Sequence, residues 1–78
     1  MDARERGNDK FRSGSFLEAA RLYTLALASE NPDRLTTCAI LSNRAAALLQ
    51  LGRWGEARDD ARRVLAWTQR TAKRSTGW

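Results

Sequence analysis

The segment Gly14-Ser15-Phe16-Leu17-Glu18-Ala19 returns 38 residues later as Gly52-Arg53-Trp54-Gly55-Glu56-Ala57. The same shift carries Tyr23 to Ala61, Ala26 to Val64 and Leu27 to Leu65. Each unit reads as a glycine, a turn, an aromatic residue, Glu-Ala, then small or apolar residues at helical spacing. A chain built from two copies of one supersecondary unit buries its apolar faces by stacking the units side by side.

The punctuation predicts four helices. A first helix is expected from about Ala3 to Ser13, ended by Gly14 in the left-handed conformation. A second starts at Ser15, whose hydroxyl is expected to cap free amides while Glu18 completes a capping box. Its apolar face is Phe16, Ala19, Ala20, Tyr23, Ala26 and Leu27, spaced by three and four. Asn31-Pro32-Asp33 reads as N-cap, N1 and N2 of a third helix: a capping side chain, a preset φ, and an acid at the positive dipole end. That helix runs through Leu48 and Leu51 to Gly52. The fourth starts near Arg53 and carries Trp54, Ala57, Ala61, Val64 and Leu65. Ala19, Ala26, Ala45, Ala46, Ala57 and Ala61 let helices approach closely, with Phe16 and Trp54 filling the gaps beside them. The expected fold is all-α: two stacked antiparallel helix hairpins followed by a short C-terminal tail.

The residue inventory narrows function. The 78 residues include no histidine and one cysteine, Cys38. A His-based triad, a His/Cys zinc site and a disulfide framework therefore lack their residues, and no metal or cofactor is expected. Asp59-Asp60 is a poor acid/base dyad, because adjacent helix positions point about 100° apart; a solvated face among arginines is expected instead. Cys38 reads as a small core residue rather than a nucleophile, with no base nearby in sequence. Gly7 and Gly14 lack the Gly-Lys-Ser/Thr ending of a phosphate loop. The expectation is a non-enzymatic protein. No apolar run suits a secretory signal or a membrane helix, and a lone cysteine fits a reducing compartment, so a cytoplasmic location is expected.

The pattern Gly7-Asn8-x-x-Phe11-x-x-Gly14-x-Phe16-x-x-Ala19-x-x-x-Tyr23-x-x-Ala26-Leu27 resembles a tetratricopeptide repeat (TPR). So does Asn43-Arg44-Ala45-Ala46-x-x-x-x-x-Leu51-Gly52-x-Trp54-x-x-Ala57-x-x-Asp60-x-x-x-Val64-Leu65. The usual repeat is about 34 residues; here an extra helical turn is placed at Asp33 to Thr36. The resemblance covers residues 3–66, with repeats at about 3–30 and 33–66.

Arg4-Glu5-Arg6-Gly7-Asn8 and Leu41-Ser42-Asn43-Arg44-Ala45-Ala46 are similar to the carboxylate-clamp subgroup of co-chaperone repeats. The resemblance implies an adaptor that takes the acidic Glu-Glu-Val-Asp tail of heat-shock chaperones, with Arg4, Asn8 and Asn43 on its carboxylates and Ala46 giving the peptide room. Members usually carry Lys in place of Arg4, and two further cations on a third repeat that is missing here. Independently of the family, residues four apart share a helix face, so Arg4 and Asn8 point the same way. An amide can donate to a carboxylate, and arginine adds charge assistance. The other reading of Asn43 is an internal hydrogen bond that fixes helix stacking.

Residues 67–78 break the pattern, with no proline and no apolar period. Codons chosen for Leu-Asp-Pro-Glu-Asn-Gly-Gln-Ala-Leu-Tyr-Arg-Val, read one nucleotide later with a final G supplied, spell this segment. A shifted frame or alternative splice in a longer protein would produce such an end. Its composition also suits a solvating cap or disordered tail, with a tryptophan laid over the end of the fourth helix. Of the net charge of +5, Arg70, Lys73 and Arg74 supply a large part. With Arg58, Arg62 and Arg63 they make the argument for nucleic-acid binding, against which stand the interleaved Glu56, Asp59 and Asp60. A structural scaffold, or self-association through the exposed last helix, is the second alternative.

Overall fold

A computed structural model of the chain describes the backbone of residues 2–76 and the side chains of residues 2–66. It contains α1 (Ala3–Arg12), α2 (Phe16–Ser29), α3 (Arg34–Gln50) and α4 (Trp54–Thr76). The fold is all-α: α1 and α2 form one antiparallel hairpin, α3 and α4 a second, and α2 packs on α3 to join them. Among the described residues there is no strand, and no helix is long and apolar enough to cross a membrane.

Both hairpins turn on a glycine in the left-handed region, Gly14 at φ +86° and Gly52 at φ +78°. A side chain there would strain the backbone, which explains why this position of the repeat keeps glycine. The helix starts depart from the expected chemistry. Ser15 precedes α2 but its side chain makes no capping bond; the capping box does not form, and Glu18 instead reaches Lys10 across the hairpin at 3.2 Å. Asn31 is not the cap of α3. It adopts φ +45°, a conformation that asparagine tolerates better than most residues. Asp33 takes over the cap, accepting a 2.8 Å bond from the Thr36 amide. That amide, with the Thr36 side chain, holds the Asp33 carboxyl below the usual carboxylate range. The first helix is capped likewise, Asp2 accepting from the Glu5 amide. Glu30, at the end of α2, accepts a 2.6 Å bond from the Ala3 amide, satisfying another open donor at the start of α1.

The core is small and alanine-rich. Ala19, Ala26 and Ala47 have no exposed surface, and the large buried side chains are Tyr23, Ile40 and Leu41. Each of the two aliphatic side chains contributes about 1.5–3 kcal/mol by leaving water. Phe16 and Leu27 pack against this core, and Phe16 meets Phe11 edge to face with ring centroids 5.3 Å apart. Their counterparts in the second unit behave differently. Trp54 is 67% exposed and Leu65 55%, and Ala61 is exposed as well. Trp54 therefore fills no gap between helices, because no described element lies beyond α4. Cys38 is half-buried on α3.

Helix α4 continues through Thr76, beyond the repeat pattern. The expected docking of the tail's tryptophans concerns the side chains of Trp67 and Trp78, which lie outside the described residues.

Helix α1 comes close to α2 at Gly7, against the Tyr23 ring. A Cβ built there would sit 2.8 Å from Tyr23 Cε1. Gly55, inside α4, has nothing within 4 Å of the same position. Opposite effects are expected from the same substitution. Gly7→Ala overpacks a buried ring and should cost about 1–3 kcal/mol, reduced by the better helix propensity of alanine. Gly55→Ala should stabilise by about 0.5–1 kcal/mol. Urea unfolding of the two variants checks this, and equal signs would show that the helices can spread at Gly7.

Candidate functional site on the α1–α3 face

The site grows from Tyr23. Its ring lies against Gly7, and its hydroxyl donates a 2.6 Å hydrogen bond to Asn8 Oδ1. Asn43 Nδ2, on α3, donates to the same oxygen at 3.3 Å. One amide oxygen thus collects donors from two other helices, and the first and second units are joined there. Burial raises the Tyr23 phenol above its ordinary value, while the Asn43 amide and the positive charge of Arg12 act in the opposite sense.

Of the four residues expected at the site, Asn8 and Asn43 are therefore brought together. Arg4 lies one turn before Asn8 on α1 and is half-buried; it makes no ion pair with another described residue. Ala46 lies three residues beyond Asn43 on α3, also half-buried. The geometry leaves Asn8 Oδ1 occupied, so the hydrogen-bonding group that Asn8 can offer a ligand is its Nδ2 donor pair. The internal bond open to Asn43 in the sequence is present, and it holds the two asparagines in fixed relation.

Arg12 was not singled out by sequence, yet it follows Asn8 by four residues on the same helix face. Its guanidinium is close enough to act electrostatically on Tyr23, and it also pairs with Asp9 at 3.4 Å. The spacing Arg4, Asn8, Arg12 was a readable signal: cations one turn before and one turn after an amide.

The second missed feature is structural. Arg44 and Asp60 form a two-pronged ion pair, Nε to Oδ2 and NH2 to Oδ1, each 2.6 Å. Arg44 NH1 also donates to Thr24 Oγ1 at 3.0 Å, so α2, α3 and α4 meet at one guanidinium. Asp60 is only 4% exposed, which overturns its reading as part of a solvated acidic face; Asp59 alone is on the surface. Hydrogen bonding to Asp60, opposed by desolvation, raises the Arg44 pKa further. Helical spacing from Ala57 to Asp60 to Val64 was the available signal that Asp60 faces inward. A groove of about 410 Å³ between α2 and α4 is lined by this pair and Thr24 but by none of the four expected site residues. Among the described residues no group of three His, Cys, Asp or Glu side chains could hold a metal ion.

Known proteins share most of this sequence at low to moderate identity. The chain is 40% identical over 68 residues to mouse (Mus musculus) sperm-associated antigen 1, covering 80% of this chain and 7% of that protein. It is 46% identical over 57 residues to the Rattus norvegicus protein of the same name, covering 65% of this chain and 6% of the relative. The DnaJ homolog subfamily C member 7 homolog of Schizosaccharomyces pombe is 35% identical over 65 residues, covering 83% of this chain and 14% of the relative. The chain thus spans only a small part of the curated relatives it matches. No protein-family model matches it, and no solved structure gives a significant match.

Two outcomes test the energetics of the face. Removing one partner of the buried pair, as in Asp60→Ala, leaves an uncompensated guanidinium and should cost about 3 kcal/mol or more, read by urea unfolding. Because the folded pKa of Tyr23 is raised, the stability it contributes is complete below the unfolded tyrosine value near 10. It is lost as pH rises through the higher folded value. Thermal melts between pH 8 and 12 should show this loss, and Tyr23→Phe should flatten it. The chain is a four-helix, two-hairpin all-α domain that resembles a TPR module, and this fold and these similarities support a protein–protein interaction module.

Proposed function

We propose that this module is a non-enzymatic cytoplasmic adaptor whose α1–α3 face binds the acidic C-terminal peptide of a heat-shock chaperone. The observation that carries the reading is the joined pair Asn8 and Asn43, one from each unit, with Asn8 Oδ1 accepting from both Asn43 Nδ2 and the Tyr23 hydroxyl. In this reading Arg4 and Asn8 Nδ2 receive a terminal carboxylate, since charge-assisted hydrogen bonds are stronger than neutral ones. Asn43 contributes from α3, and Ala46 leaves room beside it for the peptide backbone. The name of the fission-yeast relative, a DnaJ homolog, is in keeping with a chaperone partner. The two further cations that complete the clamp in the resembling subgroup stand on a third repeat. Arg12 is the nearby cation on this chain that compensates in part, and binding by the described residues alone is accordingly weak.

Calorimetry with a free-acid Glu-Glu-Val-Asp peptide and its C-terminal amide tests the reading. The free acid should bind at least tenfold more tightly, and Arg4→Ala should remove most of that difference with the fold intact by circular dichroism. Equal binding of acid and amide would sink it.

A further inference from the structure

Two grooves flank α2 and adjoin at Arg21, which lines both. One, of about 720 Å³, lies between α1 and α2 and takes Arg6 and Lys10 from α1. At about 100° per residue, these two stand at least about 120° round the helix from Arg4, Asn8 and Arg12. The other is the groove of about 410 Å³ between α2 and α4, with Arg63 on its α4 wall. Arg6, Arg21 and Arg63 are all exposed. The charges of the two grooves do not balance. Of the acids that line them, Asp60 is taken by Arg44, Glu56 by Arg53, Glu18 by Lys10 and Asp9 by Arg12. Asp59 is the one lining acid without an ion pair among the described residues, whereas Arg6, Arg21 and Arg63 all lack one there.

Three unmatched guanidiniums, one on each of α1, α2 and α4, specify the occupant. Packed helices lie about 8–10 Å apart and α4 stands across a groove from α2, so the three cations spread over about 20 Å. A single ion cannot meet them all. An extended chain, at about 3.3 Å per residue, covers that span in about six or seven residues. Guanidinium holds a carboxylate with two parallel hydrogen bonds, and Leu17, Ala20 and Leu48 line the groove between α2 and α4 for apolar side chains. A nucleic acid fits less well. No aromatic side chain among the described residues lines either groove for a base to stack on. Asp59 would also face a backbone charged at every nucleotide, whereas a peptide can set a neutral residue there. We propose that these two grooves bind an extended acidic segment of a partner polypeptide, with carboxylates on Arg6, Arg21 and Arg63 and apolar residues between them. The site needs no terminal carboxylate and shares no residue with the α1–α3 face, so it stands whether or not that face takes a chaperone tail.

The probe is the peptide Glu-Thr-Val-Glu-Thr-Val-Glu, acetylated and amidated so that it offers no terminal carboxylate. The same peptide with Gln for every Glu is its control. Titrated into the isotope-labelled 78-residue chain and followed by NMR, the Glu peptide should bind at least tenfold more tightly than the control. Its largest shifts should fall at Arg6, Arg21 and Arg63. Arg21→Ala should weaken the Glu peptide at least threefold, and Arg6→Ala and Arg63→Ala should act in the same direction. Arg58→Ala removes an equal charge outside both grooves and should change the affinity less than twofold. Since Arg6, Arg21 and Arg63 pair with no described residue, their replacement reads binding rather than folding. Equal affinities, no binding by either peptide, shifts centred on Arg4 and Asn8, or an equal effect of Arg58→Ala would overturn the proposal. Two further results would also overturn it by giving the grooves another occupant. One is tighter binding of a thymidine heptanucleotide that Arg21→Glu abolishes. The other is self-association of the chain that Arg21→Glu abolishes.

Discussion

The contact of Tyr23 with Gly7 and Asn8 is the interaction on which the rest of the molecule depends. The phenol ring can sit this close to α1 only because position 7 has no side chain: a Cβ there would lie 2.8 Å from Tyr23 Cε1. The hydroxyl then has to be satisfied in a buried setting, since an unpaired polar group there is costly. Asn8 satisfies it, and the same oxygen takes Asn43 from the second unit. Packing in one hairpin thereby becomes the orientation of two amides on the face between hairpins. The arrangement of the two amides is a by-product of closing the core.

The second hairpin solves the same problem by another route. Ala61 stands where Tyr23 would be, so α4 has no ring to anchor it, and the joining is done by Arg44 with Asp60 and Thr24. A buried ion pair is a poor source of net stability but a strict one in geometry, because either partner alone is a liability. Much of the remaining core is alanine that lets backbones approach; among the described residues three large side chains are fully enclosed, with Leu48, Phe11, Phe16 and Leu27 packed around them. Units of this kind gain stability from neighbours on both sides. The exposed Trp54 and Leu65 mark the side on which the described chain offers none.

What could be read from the sequence follows from where each signal is stored. The four helices, their glycine breaks and the face from Ala19 to Leu27 were legible because helical spacing and left-handed glycines are local properties. The capping details were less so: Ser15 and Asn31 have the composition of caps, but which residue takes the role depends on the path of the chain, and Asp33 was equally qualified. Trp54 was misassigned because an aromatic at a repeat position is buried only if something arrives to cover it. Asp60 was misassigned for the converse reason, a charged residue on an inward position whose partner lies on a different helix. At the site, Arg4, Asn8, Asn43 and Ala46 came from a resemblance. The connection of Asn8 and Asn43 with Tyr23 is a three-helix contact that no single segment encodes.

The charge of the protein acquires a different meaning from these placements. Interleaved acids on α4 seemed to moderate its arginines, yet Asp60 is withdrawn into the core and Glu56 sits beside Arg53 at 3.6 Å. Arg58 and Arg62 are thus left beside an apolar stripe, with Asp59 the exposed acid next to them. The described residues therefore present two chemically different faces to proteins. On α1 and α3 stands a small polar set, and on α4 a cationic apolar stripe. The two faces share no residue, because Asn8 and Asn43 stand on α1 and α3 while Trp54 and Leu65 stand on α4.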